Sequence, residues 1–132
     1  TLQMKNLKGF ALLAITLILV SFKPSYSIDE VVSAIRTGNS AELSKYFDNR
    51  VDIALPDKSD TYSKAQAEMI VRDFFSNKGV TGFEVKHKGE NGGAQFCVGV
   101  LKTRNAEYRT HLFMRQRGDR QLLQEIRFLP AQ

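Results

Sequence analysis

The 132-residue chain is 42% hydrophobic and 25% charged, with 19 Lys and Arg against 14 Asp and Glu for a formal charge of +5. That length fits one domain. A single cysteine excludes an intramolecular disulfide framework and any cysteine-based zinc cluster, and two histidines are too few for a histidine-rich metal site. The basic balance raises nucleic acid or anionic lipid as partners, so the location of the positive charge has to be settled first.

Much of that charge lies at the start. Met4-Lys5-Asn6-Leu7-Lys8 carries two lysines and no acid, Phe10 to Val20 is a nearly unbroken apolar run, and Ser25 and Ser27 place small residues three and one positions before a cut after Ser27. This order is that of a secretory signal peptide. The apolar stretch from Phe10 to Phe22 is shorter than the roughly 20 residues a spanning helix needs, so cleavage is expected over anchoring, and membrane contact only through this segment before the cut. No cysteine lies nearby for a lipoprotein anchor. Residues 1–27 are therefore read as a signal segment with a short upstream extension, and residues 28–132 as one exported domain, periplasmic or secreted. Removing Lys5, Lys8 and Lys23 leaves 16 bases against 14 acids, a net charge of +2. The arginines of the last third, from Arg104 to Arg127, alternate with Glu107, Asp119 and Glu125. They read as a solvated, balanced face, and nucleic acid is not expected as a partner.

In the remaining chain, Ile28, Val31, Val32 and Ile35 form the stripe of a short helix started by Asp29 and ended by Gly38. Ser40 can cap a second helix running through Phe47. Val51, Ile53 and Leu55 alternate with polar neighbours in a strand from Arg50 that Pro56-Asp57 stops. Ser63 and Gln66 have capping-box spacing, and behind them Ala67, Ile70, Val71, Phe74 and Phe75 mark the core face of a helix closed by Gly79. From Gly82 the period changes to two. Strands are expected at Gly82 to Lys88, Ala94 to Arg104, Glu107 to Arg117 and Gln121 to Leu129, joined as an antiparallel meander by short turns.

The fold class is α+β. The order helix, helix, strand, long helix, four strands resembles the nuclear transport factor two-like, or cystatin-like, superfamily. There, N-terminal helices pack on a bent, mainly antiparallel sheet to form a cone with an internal pocket. Gly99-Val100-Leu101-Lys102-Thr103, Tyr108-Arg109-Thr110 and Leu123-Gln124-Glu125-Ile126-Arg127-Phe128 are similar to segments of an uncharacterised domain-of-unknown-function family of small exported bacterial proteins within it. The resemblance implies the fold. It does not choose among isomerases, dehydratases, hydrolases and noncatalytic binding or dimerising modules.

Within a cone, alternation sorts side chains by face. The more apolar sets are expected inside: Phe83, Val85 and His87; Phe96, Val98 and Val100; Tyr108, Thr110, Leu112 and Met114; Leu122, Gln124, Ile126 and Phe128. That set holds no carboxylate for acid–base chemistry. Tyr46, Tyr62, His87, Tyr108, Thr110 and Gln124 are the pocket candidates, from which an enzyme would use a tyrosine, His87 or Asp52, and an Asp52–Tyr46 pair could abstract a proton if a bulge turns Asp52 inward. No phosphate loop, nucleophile elbow or His-Glu-x-x-His pattern occurs. The other face is expected to carry Cys97, Leu101, Arg109, His111, Phe113 and Leu123, an apolar patch rimmed by charge that suits a homodimer interface. The sequence thus reads as an exported noncatalytic domain that binds a small apolar or amphipathic ligand or a partner and self-associates, with no cofactor and no metal. Its alternatives are a cofactor-independent isomerase- or dehydratase-like enzyme and a structural dimerisation module.

Overall fold

The computed structural model describes residues 27–131, so the expected signal segment, apart from Ser27, lies outside the described residues. The elements are α1 (Ile28–Arg36), α2 (Ser40–Ser44), β1 (Phe47–Leu55), β2 (Lys58–Ser63), α3 (Lys64–Lys78), β3 (Val80–Asn91), β4 (Ala94–Thr103), β5 (Glu107–Arg117) and β6 (Arg120–Pro130). No helix among them is long and apolar enough to cross a membrane.

The helices form where periodicity and caps coincide. Ser27, not Asp29, is the N-cap of α1; its backbone N–H donates to Glu30 Oε1 at 2.9 Å. Asp29 and Glu30 occupy the first turn and Arg36 the last, which suits the helix dipole. At α3 the Ser63–Gln66 capping box is present, and Gly79 ends the helix at φ 73°, a left-handed conformation that glycine adopts without a Cβ clash.

All six strands belong to one sheet, in the order β2-β1-β6-β5-β4-β3. β3 to β6 form the expected antiparallel meander, while β1 lies parallel to β6 and antiparallel to β2. The strand β2 was not expected: Lys58-Ser59-Asp60-Thr61-Tyr62-Ser63 has no apolar alternation. It is an edge strand, where polar residues blunt pairing with other chains. β1 also begins at Phe47, inside the helix expected from Ser40, because α2 stops at Ser44.

The helices cover one face of the sheet, and the space between is packed. Phe74 of α3 stacks on Phe128 with centroids 5.1 Å apart, Tyr108 meets Phe74 edge-on at 5.2 Å, and Phe75 meets Phe128 at 5.9 Å. Val31, Ile35, Leu43, Val71, Leu112, Met114 and Ile126 fill the remainder, each essentially inaccessible.

Sheet faces depart from the expected assignment at three strands. On β4, Cys97, Gly99 and Leu101 point to the helices and Phe96, Val98 and Val100 point away, the reverse of the expectation. Both sets are apolar, so hydrophobicity did not distinguish them. Gly99 decides the matter: Phe83 lies over it, and a Cβ there would stand 2.6 Å from Phe83 Cζ and 2.5 Å from the Glu84 carbonyl oxygen. On β3 the register shifts between Val85 and His87, turning His87 outward. On β6 it shifts beside Leu123, which joins the core along with Ile126 and Phe128. Cys97, Leu101 and Leu123 are thus core residues, not interface residues. Each bulge inserts one residue and inverts the parity of the strand beyond it.

Candidate functional site

The six expected pocket residues do not converge on one cavity. Thr110 is fully buried, its hydroxyl donating to the Tyr108 carbonyl at 3.1 Å, and Tyr108 is packed against Phe74. Tyr62 is half-buried on β2 opposite Val51. Tyr46 is buried at the base of a shallow depression of about 310 Å³ between α1 and α2, and its carbonyl accepts from the Leu123 N–H at 2.6 Å. His87 is exposed on the outer face, its ring 5.4 Å from that of Phe96. Gln124 sits at the β1–β6 junction and donates to Asp48 at 2.9 Å. Asp52 stays outside and accepts from the Thr61 hydroxyl at 2.5 Å, so no Asp52–Tyr46 pair forms.

A buried carboxylate is nonetheless present. Asp48 is 5% exposed. It accepts from Gln124 Nε2 at 2.9 Å, from Arg117 Nη1 at 3.2 Å and from the Asn49 N–H at 2.6 Å. Burial pushes its carboxyl up, but the hydrogen bonds from Gln124 and Asn49 and the Arg117 guanidinium outweigh this and hold it below the usual aspartate value. Such a group is a stabilised anion, poorly suited to accept a proton as a general base. Alternation missed it because the β1 register shifts between Phe47 and Asp52. The acid directly after two aromatics, Tyr46-Phe47-Asp48, was its only trace in the sequence.

The outer sheet face is assembled from cross-strand rows. One runs Phe96, Phe113, Glu125, Asp52, and a second His87, Val98, His111, Arg127. A third runs Glu84, Val100, Arg109, Leu129. Phe96, Val98, Val100 and Phe113 are half-buried and adjoin in an apolar strip, and Leu129 is half-buried beyond Arg109. Arg115 lies over the Phe113 ring at 5.2 Å. On this face Glu84 is paired with Lys86 and Lys102 and Glu125 with Arg127, while Arg109 and Arg115 add further positive charge. A depression of about 200 Å³ opens between Phe96, Val98, His111 and Phe113, with Glu125 and Arg127 at its rim. Of the six expected interface residues, Arg109, His111 and Phe113 lie on this face. Among the described residues no cluster of three or more His, Cys, Asp or Glu side chains is placed to hold a metal ion.

Comparison with known proteins fixes the fold and leaves the activity open. Residues 28–128 match the family described as "Domain of unknown function (DUF4783)". A DUF4783 family protein from Bacteroides uniformis is 34% identical, with a TM-score of 0.76 over 79% of this chain and 96% of that one. A second, from Bacteroides ovatus, is 30% identical, with a TM-score of 0.75 over 78% and 94%. An NTF-2 like protein of unknown function from Burkholderia xenovorans shares the fold at 13% identity, with a TM-score of 0.60 over 80% and 81%. No curated protein matches.

Proposed function

The chain belongs to the DUF4783 family and has an NTF2-like fold, and from that premise we propose that it is an exported, noncatalytic domain that self-associates through the outer face of its sheet. The observation that carries this reading is the apolar strip of Phe96, Val98, Val100 and Phe113, half-buried across the adjacent strands β4 and β5 of one face. A contiguous apolar surface rimmed by charge is the usual form of an interaction site.

The charge pattern favours a second copy over a strongly charged partner. Both signs are present, with Arg109 and Arg115 on β5 and the carboxylates Glu84 and Asp52 towards the two flanks, so a rotated copy can set acid against base. The packed interior argues in the same direction, since the aromatic cluster of Phe74, Tyr108 and Phe128 occupies the place of an internal ligand. Export rests on the basic, apolar and small-residue order of residues 4–27.

Native mass spectrometry and sedimentation of protein recovered from its own cells test both parts. The expected species is a dimer at micromolar concentration, with a mass lacking the signal segment. Phe113→Asp, which puts a charge in the centre of the strip, should weaken association by about 30-fold or more, the scale of a lost interface hot spot. A wild-type monomer at high micromolar concentration, or a Phe113→Asp dimer of unchanged affinity, overturns the self-association reading.

A further inference from the structure

Both histidines of the chain lie on the outer face of the sheet, in one row. His87 of β3 and His111 of β5 flank Val98 from its two sides, in the middle row of the apolar strip. Alternation alone would have put His87 on the helix face, and the shift in β3 register after Val85 turns it out. Its ring lies 5.4 Å from that of Phe96. His111 is half-buried and lines the depression between Phe96, Val98 and Phe113.

A charged ring finds little compensation in these surroundings. Phe96, Val98 and Val100 face His87 from β4. On β3 itself Glu84 is engaged by Lys86 and Lys102, and Lys88 is paired with Asp29 of α1. Opposite His111 on β6 stands Arg127, which takes the neighbouring Glu125 as its partner, and Arg109 and Arg115 extend along β5. Asp52, beyond Glu125, accepts from the Thr61 hydroxyl. The helices pack on the opposite face of the sheet, so among the described residues these strands supply the charges beside the two rings.

Histidine in water gains its charge as pH falls through about 6.5. A second copy seated on the strip, as proposed above, takes both rings out of water, and lost hydration disfavours the charged form. The associated state therefore binds fewer protons than two separate copies. By linkage, association is strongest above the histidine range and weakens as pH falls through it. Two buried groups stay clear of this window, since burial pushes the Cys97 thiol up and hydrogen bonds hold the Asp48 carboxyl down.

Resting on the self-association reading, we infer that contact between the copies is released by acid, through protonation of His87 and His111 within the buried strip.

Each ring kept neutral in the dimer weakens association by about tenfold between about pH 7.5 and about pH 5.5, and a two-fold dimer contains both rings twice. Sedimentation equilibrium of protein recovered from its own cells should therefore show the dimer Kd rising about 30-fold or more over that interval, with an unchanged far-UV circular dichroism spectrum. In a variant carrying His87→Asn and His111→Asn together, the rise should stay below about threefold. A second readout needs no substitution and stands even where that variant no longer associates: the Cε1–H resonances of both wild-type rings should titrate at lower pH in a concentrated sample than in a dilute one. A dimer whose Kd is constant or tightens in acid, a rise that persists in the double variant, resonances that titrate alike at both concentrations, or loss of the folded spectrum at the lower pH overturns acid release and leaves self-association standing. A wild-type monomer at the higher pH overturns both.

Discussion

Asp48 shows how one side chain can look catalytic in its burial and be structural in its bonding. A carboxylate this enclosed costs free energy unless its oxygens are satisfied, and Gln124, Asn49 and Arg117 satisfy them. Gln124 and Arg117 tie the start of β1 to β6 and to the end of β5 where the β1 ladder is irregular. Because they favour the anion, the folded-state carboxyl lies below its unfolded value. Its stabilising effect is complete above the unfolded aspartate value of about 3.9 and is lost as pH falls through the lower folded value. Asp48→Asn should therefore destabilise the protein at pH 7 by about 1–3 kcal/mol, with the difference from wild type shrinking below about pH 4. Urea unfolding at the two pH values measures this. A deficit that persists unchanged at pH 3 would show that packing, not charge, is what the substitution removes.

At the level of elements, β4 holds the sheet's closest approach. Gly99 has an ordinary backbone conformation, so its role is steric: Phe83 and the Glu84 carbonyl occupy the space a side chain would need. Gly99→Ala should cost about 1–3 kcal/mol, the usual effect of overpacking, whereas Gly92→Ala, at a turn with open space around it, should cost about 1 kcal/mol from its positive φ alone. Thermal unfolding of the two variants compares them directly. The same glycine explains what the sequence could and could not convey. The order of the elements other than β2, the α3 capping box and the β3–β6 meander were legible because periodicity and turn residues are local signals. The side of β4 facing the helices was not, since Phe96, Val98 and Val100 are as apolar as Cys97 and Leu101. Neither were the bulges near Lys86 and Leu123, which depend on neighbouring strands and relocated His87 and Leu123.

For the whole molecule, phenylalanines on opposite faces of the sheet separate stability from recognition. Phe128 is fully buried between Phe74 and Phe75, while Phe113 is half-buried in the outer strip, opposite Phe96 in the adjacent strand. Removing the same ring from the two sites should have different consequences. Phe128→Ala opens a cavity in the packed interior and should cost about 3–5 kcal/mol, a large share of the roughly 5–15 kcal/mol that holds a domain of this size together. In the monomer Phe113→Ala removes a ring already partly in water, and should cost about 1 kcal/mol or less. If the outer face pairs with a second copy, however, wild-type stability rises with protein concentration by mass action, and Phe113→Ala should remove that dependence. Melting wild type and both variants across a hundredfold range of concentration tests the division. Phe128→Ala should lower the melting temperature at every concentration, and Phe113→Ala should flatten its slope. If Phe113→Ala instead lowers the midpoint equally throughout, the strip belongs to the fold and not to an interface.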